Sequence, residues 1–177
     1  MTRLYGGVAP AIHTWADMRI PPTMRGVVTP EDVVQEVWAR AIPKFEDFDP
    51  DRGQFRGWVF GFAKNVLKEL LRQKERREIQ PGEQTGELSL SALPANITSV
   101  TRRVSRSEEF RCLIDFSKTL NPIDQEILLQ RGLQGQPHDT IATGLSISSA
   151  SCRKRWERLR DMLRNQGVTS RILAENI

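Results

Sequence analysis

Cysteine, histidine and tyrosine are scarce: two, two and one among 177 residues. Cys112 and Cys152 form no CxxC and have no histidine pair nearby. That argues against a disulfide scaffold and a structural zinc site, and a reducing cytoplasm is the expected compartment. His13 and His138 lie far apart, which weakens any case for a histidine-based catalytic centre. Long apolar runs are also missing. The longest, such as Trp58-Val59-Phe60, fall far short of the roughly 20 residues a bilayer span needs. The N-terminus lacks an uninterrupted apolar segment with a small-residue cleavage site, so no signal peptide is expected. Strand signals are almost absent. What remains, 38% hydrophobic and 27% charged residues, suits one compact domain or two small ones rather than a disordered or membrane chain.

A formal charge of only +4 conceals strong alternation. Residues 31–51 hold seven acids (Glu31, Asp32, Glu36, Glu46, Asp47, Asp49, Asp51) against Arg40 and Lys44. Residues 52–77 hold eight bases (Arg52, Arg56, Lys64, Lys68, Arg72, Lys74, Arg76, Arg77) against Glu69 and Glu75. Residues 78–101 carry three acids and no base, and residues 151–164 six bases against two acids. Two separated basic segments suggest two contacts with a polyanion; the alternative is that each is simply a solvated helix face.

Helical periodicity is the dominant pattern. Thr29-Pro30-Glu31-Asp32 reads as a helix start, with Thr29 as N-cap, Pro30 at the first position and acids at the positive end of the dipole. Val34, Val37, Trp38, Ala41 and Ile42 then share one face, while Asp32, Gln35, Glu36 and Arg40 point away. Pro43 ends the helix, and Asp47 to Gly53 reads as a turn-rich loop. From Phe55, a second helix repeats Phe55, Trp58, Val59, Phe62, Ala63, Val66, Leu67, Leu70 and Leu71 at three- and four-residue steps. Its other face presents Gly57, Gly61, Lys64, Lys68 and Arg72. Each helical glycine costs about 1 kcal/mol relative to alanine. The pair serves either the approach of a phosphate backbone or tight packing against another helix.

Residues 78–105, rich in Pro, Gly, Ser and Thr, are expected to be a flexible linker. Helices near 106–119, 122–134, 137–145 and 148–165 follow, with 166–177 as a tail. The expected fold is all-α: two small helical domains, 1–77 and 106–165. Ile141-Ala142 … Leu145-Ser146-Ile147-Ser148 … Arg155-Trp156 has helix-turn-helix form. Ala142 is the small residue where the helices cross, Ile147 plugs their angle, and Ser148 caps the second helix. Cys152, Trp156, Leu159 and Leu163 form that helix's buried stripe. Ser149 and Ser151 let bases approach, and Arg153, Lys154, Arg155 and Arg158 reach base edges or phosphates. The turn position usually favours glycine, and this chain has Ser146 there.

At this point three runs in register resemble one family. Glu31 to Trp38 (EDVVQEVW), Phe45 to Asn65 (FEDFDPDRGQFRGWVFGFAKN) and Leu120 to Arg158 are similar to the corresponding segments of the extracytoplasmic-function sigma factors. These are the minimal two-domain promoter-recognition subunits of bacterial RNA polymerase. The resemblance implies a non-enzymatic, cofactor-free transcription initiation factor. Its expected partners are core polymerase (the β′ clamp helices and the β flap), promoter DNA and, as a further candidate, an anti-sigma factor. It implies that Asp32, Gln35, Glu36 and Arg40 meet the polymerase. It implies that Phe48, Asp49, Arg52 and Gln54 capture an unstacked base of the minus-ten element, with Arg56, Lys64, Asn65 and Lys68 on the following helix. Trp58 matches a family tryptophan and is expected in the core. Ser149, Ser151, Arg153, Lys154, Arg155 and Arg158 would read the minus-thirty-five element as duplex, and the acidic linker would follow the RNA path. Family members usually carry one more amphipathic segment before the part matching Leu4 to Trp15, so a late start or a reduced first helix is expected.

Two other classes compete. An ordinary operator-binding regulator would bind duplex DNA alone. A divalent-metal nuclease would use Glu31, Asp32, Glu46, Asp47, Asp49 and Asp51, but no lysine or histidine sits convincingly beside the loop acids, and no metal ligand set is expected.

Overall fold

A computed structural model of the chain describes residues 2–79, 108–168 and 173–174, without the side chains of 2–6, 74, 75, 77–79 and 109. The expected linker therefore lies almost wholly outside the described residues, as does most of the tail. Among the described residues the fold is all-α, with no strand.

Helix α1 runs from Thr2 to Arg19, with Pro10 inside it. Helix α2, Pro30–Ala41, starts as its sequence dictates. The Thr29 hydroxyl accepts from the Asp32 backbone N–H at 3.1 Å, and the Asp32 carboxylate accepts from the Thr29 N–H at 2.9 Å. This reciprocal box satisfies two otherwise orphaned donors. Short 3₁₀ turns at Ile42–Asp47 and Pro50–Arg52 lead to α3, Phe55–Ile79. Helix α4 covers Glu108–Thr119, and α5 covers Pro122–Ile127 and continues as a π-helical segment, Leu128–Leu133. Helices α6, His138–Leu145, and α7, Ser149–Asn165, follow.

The stripe expected on α3 is only part of what it buries. Phe60, off that stripe, is fully buried, whereas Phe55, Trp58, Phe62 and Leu71 are half-buried. The reason is a second neighbour. α2 covers one side of α3 and α1 another, and the Trp15 ring meets Phe60 edge-on at 5.9 Å. Helix α1 also packs on α4 and the π-helical segment, so the buried side chains form one continuous cluster from Val8 to Leu173. His13, on α1, meets the Phe110 ring of α4 at 5.1 Å. At the surface Arg19 donates to both carboxylate oxygens of Glu126, at 2.6 and 2.7 Å. The N- and C-terminal halves thus lie directly against each other.

Candidate nucleic-acid interface

The 47–54 loop is anchored by aromatic contacts. Phe48 lies 5.4 Å from the Phe55 ring and 5.6 Å from Trp58, and Trp58 lies 4.9 Å from Phe62. Trp58 is therefore half-buried in a surface aromatic cluster rather than in the deep core. The Asp49 carboxylate accepts from the Asp51 N–H at 2.9 Å, which closes the turn. Phe48, Asp49, Arg52 and Gln54 line a single cleft of about 760 Å³. Its opposite wall is the turn after the π-helical segment, Gln134 to Pro137 with Arg131. Further along α3, Lys64, Asn65 and Lys68 are exposed. Among the described residues, a Cβ placed on Gly57 or Gly61 would meet nothing within 4 Å, so no described helix packs tightly on either glycine.

Arg56 departs from its expected place on an open DNA-facing surface. Its guanidinium points into the joint between the halves and donates to the Leu133 carbonyl at 2.7 Å and the Gly7 carbonyl at 2.9 Å. Burial pushes its pKa down to about 10.

The outward face of α2 is also partly committed. Asp32 is in the capping box, and Arg40 bridges Glu36 and Glu69, each at 2.7 Å. Burial lowers the Arg40 pKa, but the hydrogen bonds to Glu69 and Glu36 outweigh it and hold the pKa above the ordinary value. Gln35 is half-buried on the same helix. Beneath the α2 N-terminus, a hydrogen bond from His13 at 2.9 Å holds the Glu31 carboxyl below its usual range.

The helix-turn-helix has the expected geometry. Ile141 and Ala142 are buried, and the Ile147 N–H reaches the Ala142 carbonyl at 3.1 Å. Ser146 adopts φ 55°, the left-handed conformation for which glycine would be strain-free. The Ser148 hydroxyl caps α7 by accepting from the Ser151 N–H at 3.1 Å. Cys152, Trp156, Leu159 and Leu163 are buried as expected, and burial raises the Cys152 thiol pKa.

The polar side of α7 divides in two. Arg153 and Lys154 are exposed, Arg153 standing 3.8 Å from Asp139. Ser149 donates to that same carboxylate. Arg155 and Arg158 instead turn back onto Asp124, at 2.8 and 2.6 Å. Asp124, with only 4% of its side chain exposed, also accepts from the Asn121 amide at 2.7 Å. Burial alone would raise its pKa; the hydrogen bonds from Arg155 and Asn121 and the charges of Arg155 and Arg158 outweigh it and hold the carboxyl below the ordinary range. Sequence reasoning passed over Asp124 and Asp139. The signal for Asp124 was present: Asn121-Pro122-Ile123-Asp124 is an N-cap, a first-position proline and an acid at the third position, and Asn121 does cap α5. Among the described residues, no group of three or more His, Cys, Asp and Glu is arranged to hold a metal ion.

Residues 9–77 match the Sigma-70 region 2 family. The RNA polymerase sigma factor CnrH of Cupriavidus metallidurans is 31% identical over 130 residues, covering 70% of this chain and 66% of that protein. The probable RNA polymerase sigma factor RfaY of Xanthomonas campestris is 25% identical over 92% of this chain and 40% of its own length. The ECF RNA polymerase sigma factor BldN of Streptomyces coelicolor is 26% identical over 75% of this chain and 47% of its own length. The chain thus spans 40% to 66% of the length of these curated relatives. A solved structure of CnrH in complex with the cytosolic domain of CnrY matches 89% of this chain and 79% of its own, at 23% identity and a TM-score of 0.36. With region 2 matched across α1 to α3 and sigma factors matched along most of its length, the chain belongs to the extracytoplasmic-function RNA polymerase sigma factors.

Proposed function

We propose that this chain directs core RNA polymerase to promoters, reading the minus-thirty-five element with α7 and opening the minus-ten element with the 47–54 loop and the exposed side of α3. The observation that carries the reading is a pairing within one chain. A region 2 segment with an aromatic-anchored loop on a cleft accompanies a helix-turn-helix whose second helix presents Ser151, Arg153 and Lys154. A flipped base needs a stacking surface and hydrogen-bonding edges, and Phe48 and Trp58 beside Asp49, Arg52 and Gln54 are of that chemistry. Lys64, Asn65 and Lys68 suit the strand's phosphates. The division into 1–77, a linker at 78–105 and 106–165 belongs to the same proposal.

In this arrangement α2 docks on the polymerase clamp helices through Gln35 and the Glu36–Arg40 pair, with Asp32 holding the helix end. Core polymerase and promoter DNA are the partners, with an anti-sigma factor as a further one. Helices α1 to α7 contain no stretch long and apolar enough to cross a membrane among the described residues. In vitro transcription with core polymerase on a genomic promoter library tests the proposal: discrete transcripts that require this chain are expected. Tight, sequence-specific binding of duplex by the chain alone, with no polymerase-dependent transcript, would favour an ordinary operator-binding regulator.

A further inference from the structure

A second cleft, of about 420 Å³, opens where α1, α3 and the π-helical segment meet. Leu67 and Leu71 of α3, with the Trp15 ring of α1, give it an apolar lining, and Gln130 and Gln134 close it from the C-terminal half. Three cations, Arg19, Lys64 and Lys68, also line it. Its acid, Glu126, is occupied: it accepts from Arg19 at 2.6 Å and from the Gln130 amide at 2.6 Å. Lys64 and Lys68 are exposed and pair with no acid among the described residues. The cleft therefore offers apolar surface beside net positive charge.

Two buried polar groups in this lining lack partners. Trp15 is 4% exposed and Gln134 3%. Among the described residues the Trp15 indole N–H donates to nothing, and the Gln134 Oε1 accepts from nothing. The Gln134 backbone is satisfied, its N–H reaching the Leu129 carbonyl at 3.2 Å, so the unmet group belongs to the side chain. A buried polar group without a hydrogen bond is costly, and protein interiors keep few of them. A single water has a share of only about 30 Å³, far less than this cleft holds. A fitting ligand must offer an acceptor to Trp15, a donor to Gln134, an apolar body to the leucines and an anion to the lysines. Inorganic phosphate and a fatty acid fail on the donor or the body. A nucleobase edge carries donor and acceptor side by side, its faces are apolar, and a nucleotide supplies the anion.

We propose that this cleft binds one nucleoside monophosphate unit, its base edge at Trp15 Nε1 and Gln134 Oε1 and its phosphate at Lys64 and Lys68. The unit arrives either as a free mononucleotide or as one nucleotide of a single strand, since both present the same chemistry. The site goes beyond the promoter reading and stands without it. Only one consequence rests on that reading: Lys64 and Lys68 are the lysines assigned above to strand phosphates, so a free nucleotide held there competes with the melted strand.

The test is calorimetric titration of the full chain with adenosine monophosphate and, separately, with inorganic phosphate. Saturable one-site binding is expected, the nucleotide at least about fivefold tighter than phosphate, as two added hydrogen bonds imply. Trp15→Phe keeps the ring and removes the donor; Gln134→Met keeps the bulk and removes the acceptor. Each should weaken nucleotide binding by about two- to tenfold, the range of one hydrogen bond, and leave phosphate binding unchanged. Each should also hold or raise the melting temperature of the free chain, because an unpartnered buried group is gone. Gln134 lines the 47–54 cleft as well, whereas Trp15 does not, so Trp15→Phe is the decisive variant. If it loses helical circular dichroism, Leu71→Glu decides instead, by setting a negative charge in this cleft that should abolish nucleotide binding. No saturable heat at millimolar nucleotide, or a nucleotide no tighter than phosphate, would overturn the site. So would wild-type nucleotide affinity in Trp15→Phe. A short single-stranded oligonucleotide separates the two sources: weakening by Trp15→Phe supports a strand nucleotide in the cleft, and unchanged affinity supports the free one. Failure of the wild-type chain to support transcription would overturn the sigma reading alone, because these titrations do not involve polymerase.

Discussion

The two basic helices of this chain, α3 and α7, look alike as charge runs and differ once folded. On α3 the cations beyond the joint are open: among the described residues no acid pairs with Lys64 or Lys68. On α7 the fold has used part of the charge internally. Arg155 and Arg158 fasten the recognition helix to α5 through Asp124, while the exposed Arg153 and Lys154 take no part in that anchor. A charge count along a helix therefore overstates the DNA-facing charge wherever a neighbouring helix offers a buried carboxylate. The difference suits two tasks. A strand held by its phosphates needs mobile positive charge, whereas reading a duplex needs a helix whose orientation is set.

The largest expected effect breaks that internal anchoring. Asp124→Ala leaves two arginines and an N-cap amide without their acceptor. It should lower stability by about 2–3 kcal/mol in urea unfolding, the range for charge-assisted hydrogen bonds to a buried carboxylate. The same site gives a pH signature. The Asp124 pKa is lower folded than unfolded, so its contribution is complete above the ordinary value of 3.8 and is lost as pH falls through the folded value. Wild-type stability minus that of Asp124→Asn should shrink over that acid window and stay flat near neutrality.

The next test separates outward from anchored arginines. Arg153→Ala should weaken closed-complex formation on duplex promoter by about 1–3 kcal/mol, with the melting temperature of the free chain unchanged. Arg158→Ala should show the reverse weighting, mostly a stability loss. Equal effects on both measurements would mean that the division of α7 does not survive in the promoter complex.

A smaller effect probes α3. Lys64→Ala and Lys68→Ala should each reduce the salt dependence of single-strand binding by about 0.7 in log–log slope, with little sequence preference. The smallest concerns the turn that aims α7. Ser146→Gly relieves a left-handed backbone and should stabilise the chain by about 0.5–1 kcal/mol without altering promoter choice.

Much of this architecture was legible before folding was considered, because its causes are local. Thr29-Pro30-Glu31-Asp32 specifies the α2 start through groups three residues apart. Ser148 caps α7 for the same reason, and the spacing of Cys152, Trp156, Leu159 and Leu163 sets its buried face. The aromatic anchor of the loop was less clear, since Phe48 and Trp58 meet only after the 3₁₀ turns fold back. Helix α1 was harder still: Gly6, Gly7 and Pro10 disfavour a helix locally, and burial of Ile12, Trp15 and Ala16 against both halves overrides them.

The all-α class, the helix starts, the two basic segments and the helix-turn-helix were readable locally, since each depends on neighbours within about one or two helical turns. Which cations are held by distant acceptors depends on the assembled helices. Arg56 finds the Leu133 carbonyl 77 residues away, and Arg155 finds Asp124 across 31. The desolvation that makes such partnerships decisive exists only where separate helices close over the same atoms.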